Sequence, residues 1–208
     1  MEDILEIYER PEDEAHPLVC MNECPKQLIE EIRAPIPMEP GTPERYDYEY
    51  KRNGTCNIFM FAAPLRGWRR VEVTEQRTRT DWADQIQRLV DEDFPEAEKI
   101  ILVMDNLNTH SSASLYQAFP PEEAKRIADR LEIHYTPKHG SWLNMAEIEL
   151  SVLNNQGVDD RVPDLPAMTE QVQAWARMRN SAKSKIDWRF TNKDARIKLK
   201  RLYPQFQS

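Results

Sequence analysis

The stretch Lys99-Ile-Ile-Leu-Val-Met-Asp105 constrains this chain more than any other. Its five central side chains are all apolar. A strand with one wet face would alternate apolar and polar, whereas a near-continuous apolar run marks a central strand covered on both faces. In the order strand, strand, strand, helix, strand, helix, strand, helix that the chain shows, such a strand fits a mixed α/β sheet with helical crossovers. The run ends in an acid, Asp105, and passes directly into the polar string Asn106-Leu-Asn-Thr-His110.

The rest of the chain supplies the matching elements. His16-Pro-Leu-Val-Cys-Met-Asn22 reads as a strand ended by Pro25. Thr55 to Ala62 and Arg69 to Glu75 read as two more, the second alternating, with Pro64-Leu-Arg-Gly-Trp68 as the turn of a hairpin. Four prolines between residues 34 and 45 make that segment an extended loop. Asp81 to Asp91 has helical spacing, with Thr80 as its expected N-cap. Residues 111–118 and 122–131 read as helices interrupted by Pro120-Pro121, Leu131 to Thr136 as a strand, and Leu143 to Asn155 as a helix. A short helical period opens the chain, and two tail helices are expected at about 166–180 and 191–202.

With 208 residues, the chain fits one domain with an appended tail, and its 40% hydrophobic and 31% charged content is that of an ordinary folded protein. No apolar run approaches the roughly 18 residues a membrane span needs. The acidic start, Met1-Glu-Asp-Ile-Leu-Glu, is unsuited to a signal peptide, so a cytoplasmic setting is expected. Cys20, Cys24 and Cys56 offer neither a CxxC pair nor a fourth zinc ligand and are expected as reduced, space-filling thiols.

The net charge of −8 hides an asymmetry. From Arg177 to Ser208 there are ten Lys and Arg against Asp187 and Asp194, a net of +8; the preceding residues carry 18 bases and 34 acids, a net of −16. A basic tail of this kind can meet phosphates and release their counterions, or it can be a solvated face balancing an acidic body.

Two segments carry a specific signal. Met104-Asp-Asn-Leu-Asn-Thr-His110 is followed downstream by Tyr135-Thr-Pro-Lys-His-Gly140 and Ser141-Trp-Leu-Asn-Met-Ala-Glu147. In this order they resemble the catalytic motifs of bacterial insertion-sequence transposases of the mariner superfamily, which use an Asp, Asp, Glu triad. In that pattern the first Asp follows a short apolar strand and is itself followed by Glu. Here the place reads Leu18-Val-Cys-Met-Asn22-Glu23, so Asn22 stands where the first acid would be. The resemblance runs from about Met1 to Pro204, including Trp188-Arg-Phe-Thr191 and the segment from Ala195 to Pro204.

The resemblance implies a ribonuclease-H-like mixed five-stranded sheet flanked by helices over residues 1–160, with a C-terminal basic helical extension over 161–208. In that fold the first and fourth strands lie side by side. Asn22 and Asp105 would then end near each other, and Glu147, on a following helix, would complete the site. The activity implied is metal-dependent DNA cleavage and strand transfer with two Mg²⁺ or Mn²⁺ ions. Such ions favour hard oxygen ligands and can activate a nucleophile and stabilise a leaving oxygen. The partners implied are transposon-end DNA, a second copy of the chain, and a helix-turn-helix segment of the kind such transposases carry upstream. The chain reads as the second half of a split or truncated transposase, without a membrane role.

Glu149 competes with Glu147, but residues two apart on a helix face different ways, and the Leu-Asn-x-x-Glu match selects Glu147. Asn22 is nearly isosteric with Asp but neutral, and its amide oxygen is a weaker ligand that does not bridge two cations. Glu23 is one step along the strand and so is expected on the opposite face. The expected consequence is impaired catalysis, or a non-catalytic remnant that binds DNA or dimerises. Lys138, His139, Trp142, Arg196, Lys198 and Lys200 are the candidate DNA contacts. For His110 and His139, phosphate contact or ligand orientation stands beside simple loop hydrogen bonding. For Trp142, base stacking stands beside a buried loop anchor. A histidine metallohydrolase centred on Asp105 lacks any HxH or HxxxH pair to support it.

Overall fold

The computed structural model describes residues 1–33, 36–43, 45, 47–138, 140–158 and 161–203. In chain order its elements are α1 (Glu2–Tyr8), β1 (Leu18–Glu31), β2 (Tyr50–Ala63), β3 (Trp68–Thr74), α2 (Arg79–Arg88), β4 (Ile100–Met104), α3 (Ser112–Ala118), α4 (Pro121–Asp129), β5 (Leu131–Tyr135), α5 (Met145–Gln156), α6 (Leu165–Ser181) and α7 (Asn192–Lys198). The strands form one sheet in the order β3-β2-β1-β4-β5. The β1–β2 and β2–β3 pairs are antiparallel, while β1–β4 and β4–β5 are parallel. This is the mixed, ribonuclease-H-like sheet, with β1 and β4 adjacent at its centre.

The apolar run of β4 explains the layering. Ile101 and Val103 face a core built with α1, α5 and α6, and Ile100, Leu102 and Met104 face a second core built with α2, α3 and α4. All five residues are buried. Successive side chains of a strand point to opposite faces, so one strand feeds both cores. β2 behaves likewise over its second half, where Cys56 to Ala63 are buried, while its first six residues are exposed.

Three sequence expectations are corrected. Pro25 does not end the first strand: β1 runs on to Glu31 with Pro25 paired opposite Asn57. β4 pairs with β1 only over Leu18 to Cys20, so at Pro25 one side of the strand has no ladder partner and a missing N–H is tolerated. The cap of α2 is Thr78, not Thr80. Thr78 Oγ1 accepts from the Asp81 N–H while Asp81 Oδ2 accepts from the Thr78 N–H, a reciprocal box completed by the acid three residues on. The last tail helix stops at Lys198 and gives way to a 3₁₀ turn over Lys200–Leu202.

The tail packs on the sheet. Met168, Val172, Trp175 and Ala176 of α6 join the first core, as does Ala195 of α7. Asn180 of α6 accepts from the Arg69 N–H and donates to the Arg69 carbonyl, both at 2.8 Å, satisfying free backbone groups of the edge strand β3. Gly67, in the β2–β3 turn at φ +67°, has the backbone of Lys183 2.5 Å from where a Cβ would stand, so no side chain fits there. Among the described residues no helix is long and apolar enough to cross a membrane.

Candidate functional site

Register places the first two site residues. Cys20 of β1 pairs with Val103 of β4, and Asn22 and Asp105 each lie two residues further on. Two steps restore the same face, so both side chains leave adjacent parallel strands on the side of Cys20 and Val103. Asn144 brings the third. Its side chain caps α5 by accepting from the Ala146 N–H at 3.1 Å, and its amide donates to the Met21 carbonyl at 2.8 Å. One residue thus starts the helix and ties it to β1 beside Asn22. Glu147, in the first turn of α5, is carried onto the same spot. Tyr8 braces this junction by donating to the Leu143 carbonyl at 2.6 Å. Asn22, Asp105 and Glu147 line one open cavity of about 620 Å³.

The amide of Asn22 is committed at both ends. Nδ2 donates to Glu147 Oε1 at 3.0 Å, and Oδ1 accepts from the Glu23 N–H at 2.7 Å. The partners fix the orientation, since a carboxylate only accepts and an N–H only donates. Asn22 therefore shows the cavity a donor, which repels a cation. Asp105 and Glu147 are hard oxygen donors of the kind Mg²⁺ or Mn²⁺ takes, so two positions of the implied triad suit a divalent ion and the first does not. Among the described residues no group of three or more His, Cys, Asp or Glu is arranged to hold a metal.

Glu23 points, as expected, to the other face of β1, yet it still reaches the site. His110, fully buried, places Nε2 2.9 Å from Glu23 Oε1 and Nδ1 2.6 Å from Asp105 Oδ1. The contact with Asp105 is ionic rather than a well-angled hydrogen bond, and the same nitrogen lies 3.3 Å from the Asp105 carbonyl. Burial alone pulls the imidazolium down; the Asp105 and Glu23 carboxylates outweigh it and raise the His110 pKa to about 9. The link escaped sequence reading because its members lie 87 residues apart and no local spacing joins them. The Asp105-x-x-x-x-His110 string was the available signal.

The remaining candidates are dispersed. Lys138 is exposed and lines a cavity with Asp105, Asn106 and Ser141. That turn needs glycine at 140, where a Cβ would stand 2.6 Å from the Pro137 ring. His139 lies outside the described residues. Trp142 is 42% exposed rather than a buried anchor, stacked on Trp188 with ring centroids 6.4 Å apart and set edge-on to Phe190. Lys198 lies 5.5 Å over the same Phe190 ring, which brings it near Trp142. Arg196 makes a two-pronged ion pair with Glu2 at 2.7 and 2.8 Å, and Lys200 is exposed.

Glu149 is structural. It is fully buried and bonded to Arg69 at 2.9 Å and to Arg179 at 2.8 and 3.1 Å. The three cysteines are free; burial pushes the Cys20 thiol up to about 12, which makes it inert.

Comparison with solved structures returns the same architecture. The chain is similar to the Mos1 mariner paired-end complex with Mn (TM-score 0.60, 14% identity), covering 88% of this chain and 54% of that one. It is also similar to the Mos1 transposase paired-end complex with left transposon end (TM-score 0.57, 14% identity, 85% and 53%). The Mos1 strand transfer complex matches with a TM-score of 0.56 and 15% identity over 87% and 51%. At such identity the likeness is one of fold, and the chain spans about half the length of these proteins. No curated protein matches it. The family model described as DDE superfamily endonuclease matches residues 17–169. That span holds all five strands and the cavity lined by Asn22, Asp105 and Glu147, and the chain belongs to the DDE superfamily endonuclease family.

Proposed function

We propose that the chain is the catalytic core of an insertion-sequence transposase of the bacterial mariner type, working on DNA in the cytoplasm. In it, strand cleavage and transfer are impaired at Asn22. The observation that carries this reading is the convergence of Asn22, Asp105 and Glu147 on one cavity, with the Asn22 amide spent on Glu147 and on backbone. A bound Mg²⁺ or Mn²⁺ would supply nucleophile activation and leaving-group stabilisation. Asp105 and Glu147 would hold it. Asn22 would add no negative charge to such a site. The DNA ends of the element are the proposed substrate, with Lys138 beside the cavity and Lys198 near Trp142 as phosphate contacts. Assembly as a homodimer, or with an upstream helix-turn-helix segment, belongs to the same reading.

A second reading, a non-catalytic DNA-binding or dimerisation remnant, is favoured by one fact: Asn22 is satisfied without any metal. Nicking of the element's own end in Mg²⁺ or Mn²⁺, with Asn22→Asp tested beside the Asn22 chain, separates the two. A silent Asn22 chain with an active Asn22→Asp variant supports an intact scaffold missing one charge. Nicking by the Asn22 chain sinks the claim of impairment. Silence in both, with salt-sensitive DNA binding retained, favours the remnant.

A further inference from the structure

We propose that His110 is a positioning residue, whose imidazole, wedged between Glu23 and Asp105, fixes the Asp105 carboxylate toward the cavity it shares with Asn22 and Glu147. The inference rests on reading that cavity as a cation site. Contacts of the ring and of the His110 backbone restrict it. Nε2 meets Glu23 at 2.9 Å and Nδ1 meets Asp105 at 2.6 Å. Trp82 stacks on the ring with centroids 5.9 Å apart. The His110 N–H donates to the Leu107 carbonyl at 2.9 Å, and its own carbonyl accepts from the Tyr135 hydroxyl at 2.8 Å.

Asp105 needs such a brace. It stands at the mouth of a loop whose next three residues, Asn106 to Asn108, are exposed. An acid there would turn freely among its rotamers. Holding Oδ1 against the ring leaves the other carboxylate oxygen for the cavity.

The burial of Glu23 argues the same way. Its side chain is 1% exposed, on the face of β1 that otherwise packs Val19 and Met21 into the second core. Burying a carboxylate and an imidazole costs more than filling the space with an apolar pair, which tends to be neutral or better for stability. Stability alone therefore does not account for the pair. Partners that orient a metal-binding side chain do, because they set where its free oxygen points.

The test uses the full chain carrying Asn22→Asp, titrated with Mn²⁺ alone and followed by the electron paramagnetic resonance signal of the free ion. His110→Phe keeps a ring against Trp82 and loses both nitrogen contacts. It is expected to weaken Mn²⁺ binding by about 10–100-fold. Glu23→Gln still offers an oxygen to Nε2 and is expected to remain closer to the parent. If His110→Phe fails to fold because Glu23 is left unpaired, the double change Glu23→Leu with His110→Phe removes that charge as well. A folded variant lacking the ring that binds Mn²⁺ like its parent overturns the proposal. A second readout needs no metal: in a crystal structure of the metal-free variant, the Asp105 carboxylate should leave its present rotamer, and finding it unmoved also overturns the proposal. Should the Asn22→Asp parent itself bind no Mn²⁺, the cation-site reading fails, and the position of Asp105 alone decides the role of His110.

Discussion

Two clusters of charge lie buried in this molecule, and they are built with opposite stoichiometry. Around Glu149 there are two cations for one anion, Arg69 and Arg179, and both carboxylate oxygens accept hydrogen bonds. Around His110 there are two anions for one ring. Among the described residues Glu23 Oε2 accepts no hydrogen bond, with Arg77 at 3.9 Å, and the Asp105 side chain is 33% exposed. The first cluster is closed to solvent at the Arg69–Glu149 pair, and it ties α5 and α6 to β3 with both carboxylate oxygens engaged. The second is short of positive charge at its solvent end, which a cation site requires and a structural ion pair does not.

Breaking the closed cluster should give the largest effect. Glu149→Gln leaves Arg69 buried without a counter-charge, and loss of one partner from a buried pair typically costs about 3–5 kcal/mol. Urea unfolding measures it; a cost below about 1 kcal/mol would class the pair with ordinary surface ion pairs.

The open cluster should instead answer to pH. His110 has its pKa raised to about 9 by Asp105 and Glu23 against the pull of burial. A group whose folded pKa lies above its unfolded value of about 6.5 stabilises fully below that value and loses its contribution as pH rises through the folded one. Metal-free stability should therefore fall between about pH 6.5 and pH 9, by about 3 kcal/mol in all. His110→Phe should flatten the slope while Glu149→Gln keeps it. A slope that survives in His110→Phe belongs to another group.

Asn22→Asp sets the two architectures against each other at the cavity itself. It replaces the 3.0 Å amide contact to Glu147 with a carboxylate facing a carboxylate. Loss of a hydrogen bond to a charged group, with repulsion added, should cost about 1.5–3 kcal/mol in chelator-treated buffer. Mn²⁺ should then raise the melting temperature in a concentration-dependent way, because it binds only the folded site. A variant as stable as the Asn22 chain, and indifferent to Mn²⁺, would mean that Asn22 does not stand in for a metal ligand.

What the sequence disclosed and what it withheld divide along the same line. β4 was legible because five apolar residues in a row have one physical explanation, and its side chains do feed both cores. The placement of Asn22, Asp105 and Glu147 was legible through motif order together with strand alternation. Pro25 misled because its effect depends on whether a ladder partner is present, which no residue near it encodes. The buried role of Glu149 and the bridge from Glu23 to Asp105 were hidden for a related reason. Each is made by residues distant along the chain, with partners 80 and 87 positions apart. Local periodicity reports which face a side chain takes, not what waits there.

The smallest effect extends the contrast to the surface of the tail, where a charge already satisfied should differ from one left over. Arg196 is held by both oxygens of Glu2, at 2.7 and 2.8 Å, and its fork is occupied. Lys198 has one distant acid, Asp194 at 3.6 Å, and a 65% exposed side chain beside the Phe190 and Trp142 rings. If the tail meets DNA, each phosphate contact contributes about 0.9 to the slope of log affinity against log salt. Lys198→Ala should lower that slope by about 0.9, while Arg196→Ala leaves it unchanged. Fluorescence anisotropy of end-sequence duplex across a salt series reads both. Equal losses would mean that Glu2 releases Arg196 on binding, so that pairing in the free protein does not decide which cations serve the phosphates. No loss in either would confine DNA contact to the neighbourhood of the cavity, where Lys138 stands next to Asp105.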